Sequence, residues 1–114
     1  MLFRSVGDEV QVRLKFRAIA RTEIDNVALV DLLPGGFDMV ESRRQSAWQP
    51  EAVDRRDDRI VLYGTVRNEF QEYVYRIKAT NAGTFTVPPA YGESMYEPGI
   101  RARSMGMTIT VERR

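Results

Sequence analysis

Carboxylate pairs, a mixed-charge run, a double glycine and a row of cations are the features of this chain whose types and spacing could do chemistry. Glu93 and Glu97 are the kind of acid pair that works in general acid–base hydrolysis. They fall in a stretch read as a loop, with no shell of residues visible around them to hold the pair in place. Asp54-Arg55-Arg56-Asp57-Asp58-Arg59 gathers three carboxylates that could face calcium. Three arginines compete for the same oxygens, so a solvated mixed-charge turn is the plainer reading. Gly35-Gly36 could cradle a phosphate, but no Lys-Ser/Thr follows and no helix begins there; a tight turn fits better. Arg13, Lys15 and Arg17 share one face of a strand and could meet an acidic partner. A solvated outer face is the plainer reading.

The residue types that are missing narrow the field further. The chain has no cysteine and no histidine, which removes thiolate ligands, the usual zinc sets, a thiol nucleophile and the usual general base. We therefore expect no catalytic residue, no metal and no cofactor, and a protein that is not an enzyme. Seventeen basic and 16 acidic residues leave a net charge of +1, with the signs interleaved. A nucleic-acid partner needs a basic face and is not expected. No apolar run has the length of a membrane span, and the N-terminus lacks a signal-peptide core. Because the chain begins almost directly on a strand-like run, we expect it to be a fragment of a larger protein.

The elements that must position these residues are strands. Val10, Val12, Leu14, Phe16 and Ala18 alternate with Gln11, Arg13, Lys15 and Arg17, the period of a half-buried strand. Residues 27–33 form an apolar run ended by Pro34-Gly35-Gly36, and Phe37, Met39 and Val40 resume as a short strand. Residues 42–58 read as a loop around Trp48, with a helical turn near Glu51 to Val53. Trp48 is expected to be partly buried under that loop. Residues 59–66 and 73–79 are further strands. Asn81-Ala82-Gly83 predicts a hairpin into residues 84–87, and residues 107–111 form the last strand. About seven short antiparallel strands in 114 residues imply a single domain over residues 1–114. Its expected fold is an all-β sandwich of immunoglobulin or fibronectin type.

Residues 87–98 stand apart. Pro88, Pro89 and Pro98 remove backbone donors, and the stretch is expected not to be a strand. Its Tyr91, Met95 and Tyr96 are poor residues for a disordered linker. Met95 and Tyr96 either fold back to plug one end of the sandwich or form a contact surface for a partner.

Several segments together resemble one family. Val30-Asp31-Leu32-Leu33-Pro34-Gly35-Gly36-Phe37 is similar to a signature near the C-terminus of bacterial alpha-2-macroglobulins. Asp58-Arg59-Ile60-Val61-Leu62-Tyr63, Tyr75-Arg76-Ile77-Lys78-Ala79-Thr80, Gly83-Thr84-Phe85-Thr86-Val87-Pro88-Pro89 and Glu93-Ser94-Met95-Tyr96-Glu97-Pro98 follow in order. The resemblance implies the C-terminal, receptor-binding-like macroglobulin domain of a broad-spectrum protease trap, a non-catalytic endopeptidase inhibitor. It further implies a periplasmic protein anchored to the inner membrane as a lipoprotein. The implied partners are the thioester domain of the same polypeptide, the target proteases and a peptidoglycan synthase, with the isolated domain a monomer. In such proteins a Met-Tyr loop shields the thioester, and the matching positions are Met95 and Tyr96, flanked by Glu93 and Pro98. Paired receptor-binding lysines are not matched, since Lys15 and Lys78 lie far apart. A generic immunoglobulin-like adhesion or interaction module, its loop an end plug or docking site, is the alternative.

Overall fold

The alternation read in the sequence becomes eleven strands among the described residues. They are β1 (Leu2–Ser5), β2 (Glu9–Phe16), β3 (Glu23–Leu32), β4 (Phe37–Val40), β5 (Ala52–Arg55) and β6 (Arg59–Arg67), then β7 (Gln71–Ala79), β8 (Gly83–Val87), β9 (Tyr91–Ser94), β10 (Arg101–Arg103) and β11 (Met107–Glu112). They belong to a computed structural model that describes residues 2–19, 21–40, 48–97, 99–104 and 107–112. No helix occurs among the described residues. One layer is a five-stranded sheet in the order β10-β9-β3-β6-β5. Two three-stranded sheets, β2-β7-β4 and β1-β11-β8, close the core from the other side.

The core is the set of inward positions that a period of two selects. Ile60 and Leu62 of β6 are fully buried. They join Tyr73, Tyr75 and Ile77 of β7 and Val111 of β11 in one cluster. A side chain of this size contributes roughly 1.5–3 kcal/mol when fully buried. β2 contributes Val10, Val12, Leu14 and Phe16 from its inner face and leaves Arg13, Lys15 and Arg17 in solvent, as the alternation requires. The chain is a two-layer all-β sandwich of immunoglobulin-like type, as expected.

Four details differ from the sequence expectation. The stretch of residues 87–98 does contain a strand, β9, which pairs with both β3 and β10. Its prolines flank residues 91–94 rather than interrupt them, so every donor the ladder needs is present. The helical turn expected near Glu51 to Val53 is the edge strand β5, paired with β6 from Ala52↔Tyr63 to Arg55↔Ile60. A waiting partner edge outweighs weak local propensity. The hairpin expected at residues 81–83 does not form: β7 pairs with β2 and β4, whereas β8 crosses to pair with β11. Thr80 and Asn81 donate to the Gly36 carbonyl instead. Finally, the strands outnumber the seven expected, and β1 runs parallel to β11. The charged turn at residues 54–59 behaves as read, with Arg56 paired to Asp54 at 3.1 Å and Arg59 to Asp58 at 3.1 Å.

The turn at Gly35-Gly36 has two jobs. Gly36 has φ 77°, a left-handed conformation that costs other residues about 1–2 kcal/mol. It also lies under the Phe85 ring, so an added Cβ would sit 2.5 Å from Phe85 Cζ. Gly7 has φ 95° with nothing within 4 Å of such a Cβ. Gly36→Ala is expected to cost more than Gly7→Ala in urea unfolding, by the work of displacing Phe85. Equal losses would show that the ring gives way freely.

Candidate interaction site

The β9–β10 hairpin tip is built from the backbone upward. β3 carries a bulge between Ile24 and Val27, where its register to β6 shifts. Asn26 sits there at φ 55°, a conformation that asparagine tolerates better than most residues. The kink turns the Asn26 carbonyl to accept the Met95 amide at 2.9 Å. On the neighbouring strand, Ser94 is buried and its Oγ accepts the Glu97 amide at 3.2 Å, a serine turn that folds the tip on itself. The Ser94 amide donates to the Ile100 carbonyl at 3.0 Å, and Gly99 supplies φ 102° for the return. Arg21, from the β2–β3 loop, pairs with Glu97 at 2.7 Å. Both side chains are half exposed, so the pair adds only about 0–1 kcal/mol; its effect is to hold the two loops together.

This frame projects Met95 and Tyr96 outward, 49% and 75% exposed. The end-plug alternative is therefore set aside: neither side chain joins the core of its own chain. The two carboxylates read as a candidate pair have different settings. Glu97 is engaged by Arg21, and Glu93 is exposed on β9 opposite Arg101 in register. Pro98 lies outside the described residues. Among the described residues no group of three or more acidic side chains could hold a metal ion.

Sequence reasoning named the tip but missed its supports, Arg21, Asn26 and Ser94. Only Ser94 had a local signal, the Ser-x-x-Glu spacing to Glu97. Arg21 and Asn26 come from a different part of the chain, and nothing local announces them. Trp48 was placed under its own loop, yet it belongs to the core. Its ring meets Phe16 edge-on at 4.8 Å and Tyr73 at 6.4 Å.

The one buried acid among the described residues lies deeper. The Tyr75 hydroxyl donates to Asp31 Oδ2 between the layers. Burial pushes the Asp31 carboxyl above its ordinary value of 3.8, and the Tyr75 hydrogen bond holds it partly down. Burial and the neighbouring Asp31 push the Tyr75 phenol far up, so it remains a donor.

Comparison with known proteins agrees with the fold. A family model described as "Bacterial Alpha-2-macroglobulin MG10 domain" matches residues 4–99. An alpha-2-macroglobulin homolog of Yersinia pestis is 37% identical over 90% of this chain, and the chain spans 6% of that protein. The structure of trypsin-activated alpha-2-macroglobulin from Escherichia coli superposes with a TM-score of 0.81 and 27% identity, covering 96% of this chain and 9% of that one. The native Escherichia coli protein, spanning domain MG7 to the C-terminus, also gives 0.81, with 25% identity over 97% of this chain and 20% of that one. Sequence, strand order and shape converge, and the chain belongs to the bacterial alpha-2-macroglobulins, a family of protease traps, as a domain of the MG10 type.

Proposed function

We propose that this chain is the terminal domain of a bacterial protease trap and has no catalysis of its own. In this reading the β9–β10 tip covers the thioester of a neighbouring domain. The observation that carries it is the exposure of Met95 and Tyr96 on a tip fixed by Asn26, Ser94 and Arg21. A thioester survives in water only while nucleophiles are kept from its carbonyl carbon. An aromatic ring and a thioether exclude water and bring no competing nucleophile.

The energetics suit a releasable cover. Burying one Met and one Tyr contributes roughly 3–6 kcal/mol, which free association would largely consume. Tethering within one polypeptide supplies the effective concentration that makes so small a contact persist. A preformed tip also loses little freedom on docking. The equal likeness to native and trypsin-activated relatives suits a domain that moves as one piece when a protease cuts. Thioester domain and target proteases are the partners in this proposal. A periplasmic lipoprotein working beside a peptidoglycan synthase is the wider setting proposed with it.

Tyr96→Ala in the full-length parent is expected to speed spontaneous or methylamine-driven loss of the thioester by about tenfold, the rate equivalent of ~1.4 kcal/mol of lost cover. Free-thiol release followed over time measures it. Kinetics matching the wild type would rule out the cover.

A further inference from the structure

The exposed large apolar side chains fall into two groups. Met95 and Tyr96 form the tip. Ile19 at 77%, Phe70 at 70% and Tyr91 at 37% exposure lie elsewhere, and all three line one cleft of about 820 Å³. That cleft runs along the side of the sandwich, between β2 in one layer and β9–β10 in the other. Its volume is in the range of ligand sites, ~300–1,000 Å³.

The cleft exists because the inner faces of the two layers do not match there. Gly92 and Ala102, opposite each other in register, leave β9 and β10 almost without inward side chains. β2 faces them with Val12, Leu14 and Phe16, which stay only half buried. Gly92 cannot simply be filled, since a Cβ there would sit 2.6 Å from Leu29 Cδ2. Among the described residues both flanking strands are sheet edges: β2 pairs only with β7, and β10 only with β9.

The charges lining the cleft are one-sided. Among the described residues they are Arg13, Lys15, Arg17 and Arg103, against a single acid, Asp31, which is buried and already accepts the Tyr75 hydroxyl. Arg13 reaches Glu72 at 3.7 Å and Arg17 lies over the Phe70 ring at 4.7 Å. Lys15 and Arg103 are exposed. The row of cations on β2, which the tip leaves without a role, borders this opening.

We infer that the cleft is a strand-addition site for an extended segment of another polypeptide in which apolar and acidic residues alternate. Such a segment adds to the free edge of β2. Its apolar side chains enter the cleft against Val12, Leu14 and Phe16, and its carboxylates lie beside Arg13, Lys15 and Arg17 on the outer face. Eight residues match the eight of β2. A second copy of this chain is a poorer occupant, because residues 9–17 offer one carboxylate, Glu9, against the three cations Arg13, Lys15 and Arg17.

The test is a nuclear magnetic resonance titration of the 15N-labelled chain with three eight-residue peptides: alternating Glu-Val, alternating Lys-Val and alternating Glu-Ser. The Glu-Val peptide is expected to shift amides of β2 and β10, and the other two to leave them in place. Lys15→Glu with Arg103→Glu changes only exposed residues. It is expected to weaken Glu-Val binding about tenfold, as the cross-strand pair at Lys15 becomes repulsive and the β10 cation bordering the cleft is reversed. Tyr96→Ala is expected to leave the titration unchanged, which separates this site from the tip. No shifts at millimolar peptide, equal binding of the Lys-Val peptide, shifts confined to the tip, or self-association of the chain through β2 would each overturn the assignment.

Discussion

Trp48→Ala is expected to lower stability by about 3–5 kcal/mol, the range for deleting a large buried aromatic. The loss has identifiable parts. The ring fills the space between β6 and β7 and touches Phe16 and Tyr73 edge-on, contacts worth about 0.5–1.5 kcal/mol each beyond their area. Its Nε1 donates to the Thr65 carbonyl at 3.0 Å. Trp48→Phe keeps much of the ring and loses that donor, so it is expected to cost clearly less. The ring also explains Gly64, where an added Cβ would sit 2.8 Å from Trp48 Cζ2. Gly64→Ala is therefore expected to destabilise the native chain and to be nearly neutral in the Trp48→Ala background. Urea unfolding of the two single variants and the double variant measures this. Additive losses would mean that the ring and the glycine are not matched to each other.

Tyr75→Phe is expected to cost about 2–3 kcal/mol at pH 8, because it strips a buried carboxylate of its hydroxyl donor. The pH dependence follows from Asp31. Its folded pKa lies above the ordinary 3.8, so above 3.8 the folded state holds more proton than the unfolded state. Stability then falls as pH rises from 3.8 through the folded pKa, and is regained as the carboxyl is protonated. The Tyr75 bond restrains that upward shift, and its removal widens the window. The deficit of Tyr75→Phe is therefore expected to be largest at pH 8 and to shrink as pH falls to 3.8. Asp31→Asn keeps an acceptor for the hydroxyl and removes the charge, so its stability is expected to lose this slope. Unfolding midpoints at the two pH values decide the matter. A deficit for Tyr75→Phe that does not change with pH would show that the carboxylate is not the group left exposed.

What could be read from residue order was whatever repeats locally. β2, β3, β6 and β7 declare themselves through apolar alternation or runs, and the stop at Pro34-Gly35-Gly36 is visible because its residues act alone. β5 and β9 are short and lack that signal. They are strands because β6 and β3 present an edge to them. The pairing of β8 with β11 rather than β7 is equally a long-range choice, and a glycine turn between two runs does not reveal it. The same division holds for the tip. Met95 and Tyr96 stand out because apolar residues of that size are unusual among prolines. Their supports, Arg21 and Asn26, lie far away in the chain and meet the tip only through the bulge in β3 and the β2–β3 loop. The cleft was invisible for a further reason: it arises from small residues on β9 and β10 facing larger ones on β2, and no run of sequence contains both sides.

The parallel pairing of β1 with β11, from Leu2↔Ile109 to Ser5↔Glu112, has a mechanical consequence. Tension between Leu2 and Glu112 pulls the two strands in opposite senses along a shared axis. It loads the ladder in shear, so its bonds resist together rather than opening one after another like a zip. Force applied across these two strands is carried by the whole ladder at once, and the sandwich stays closed.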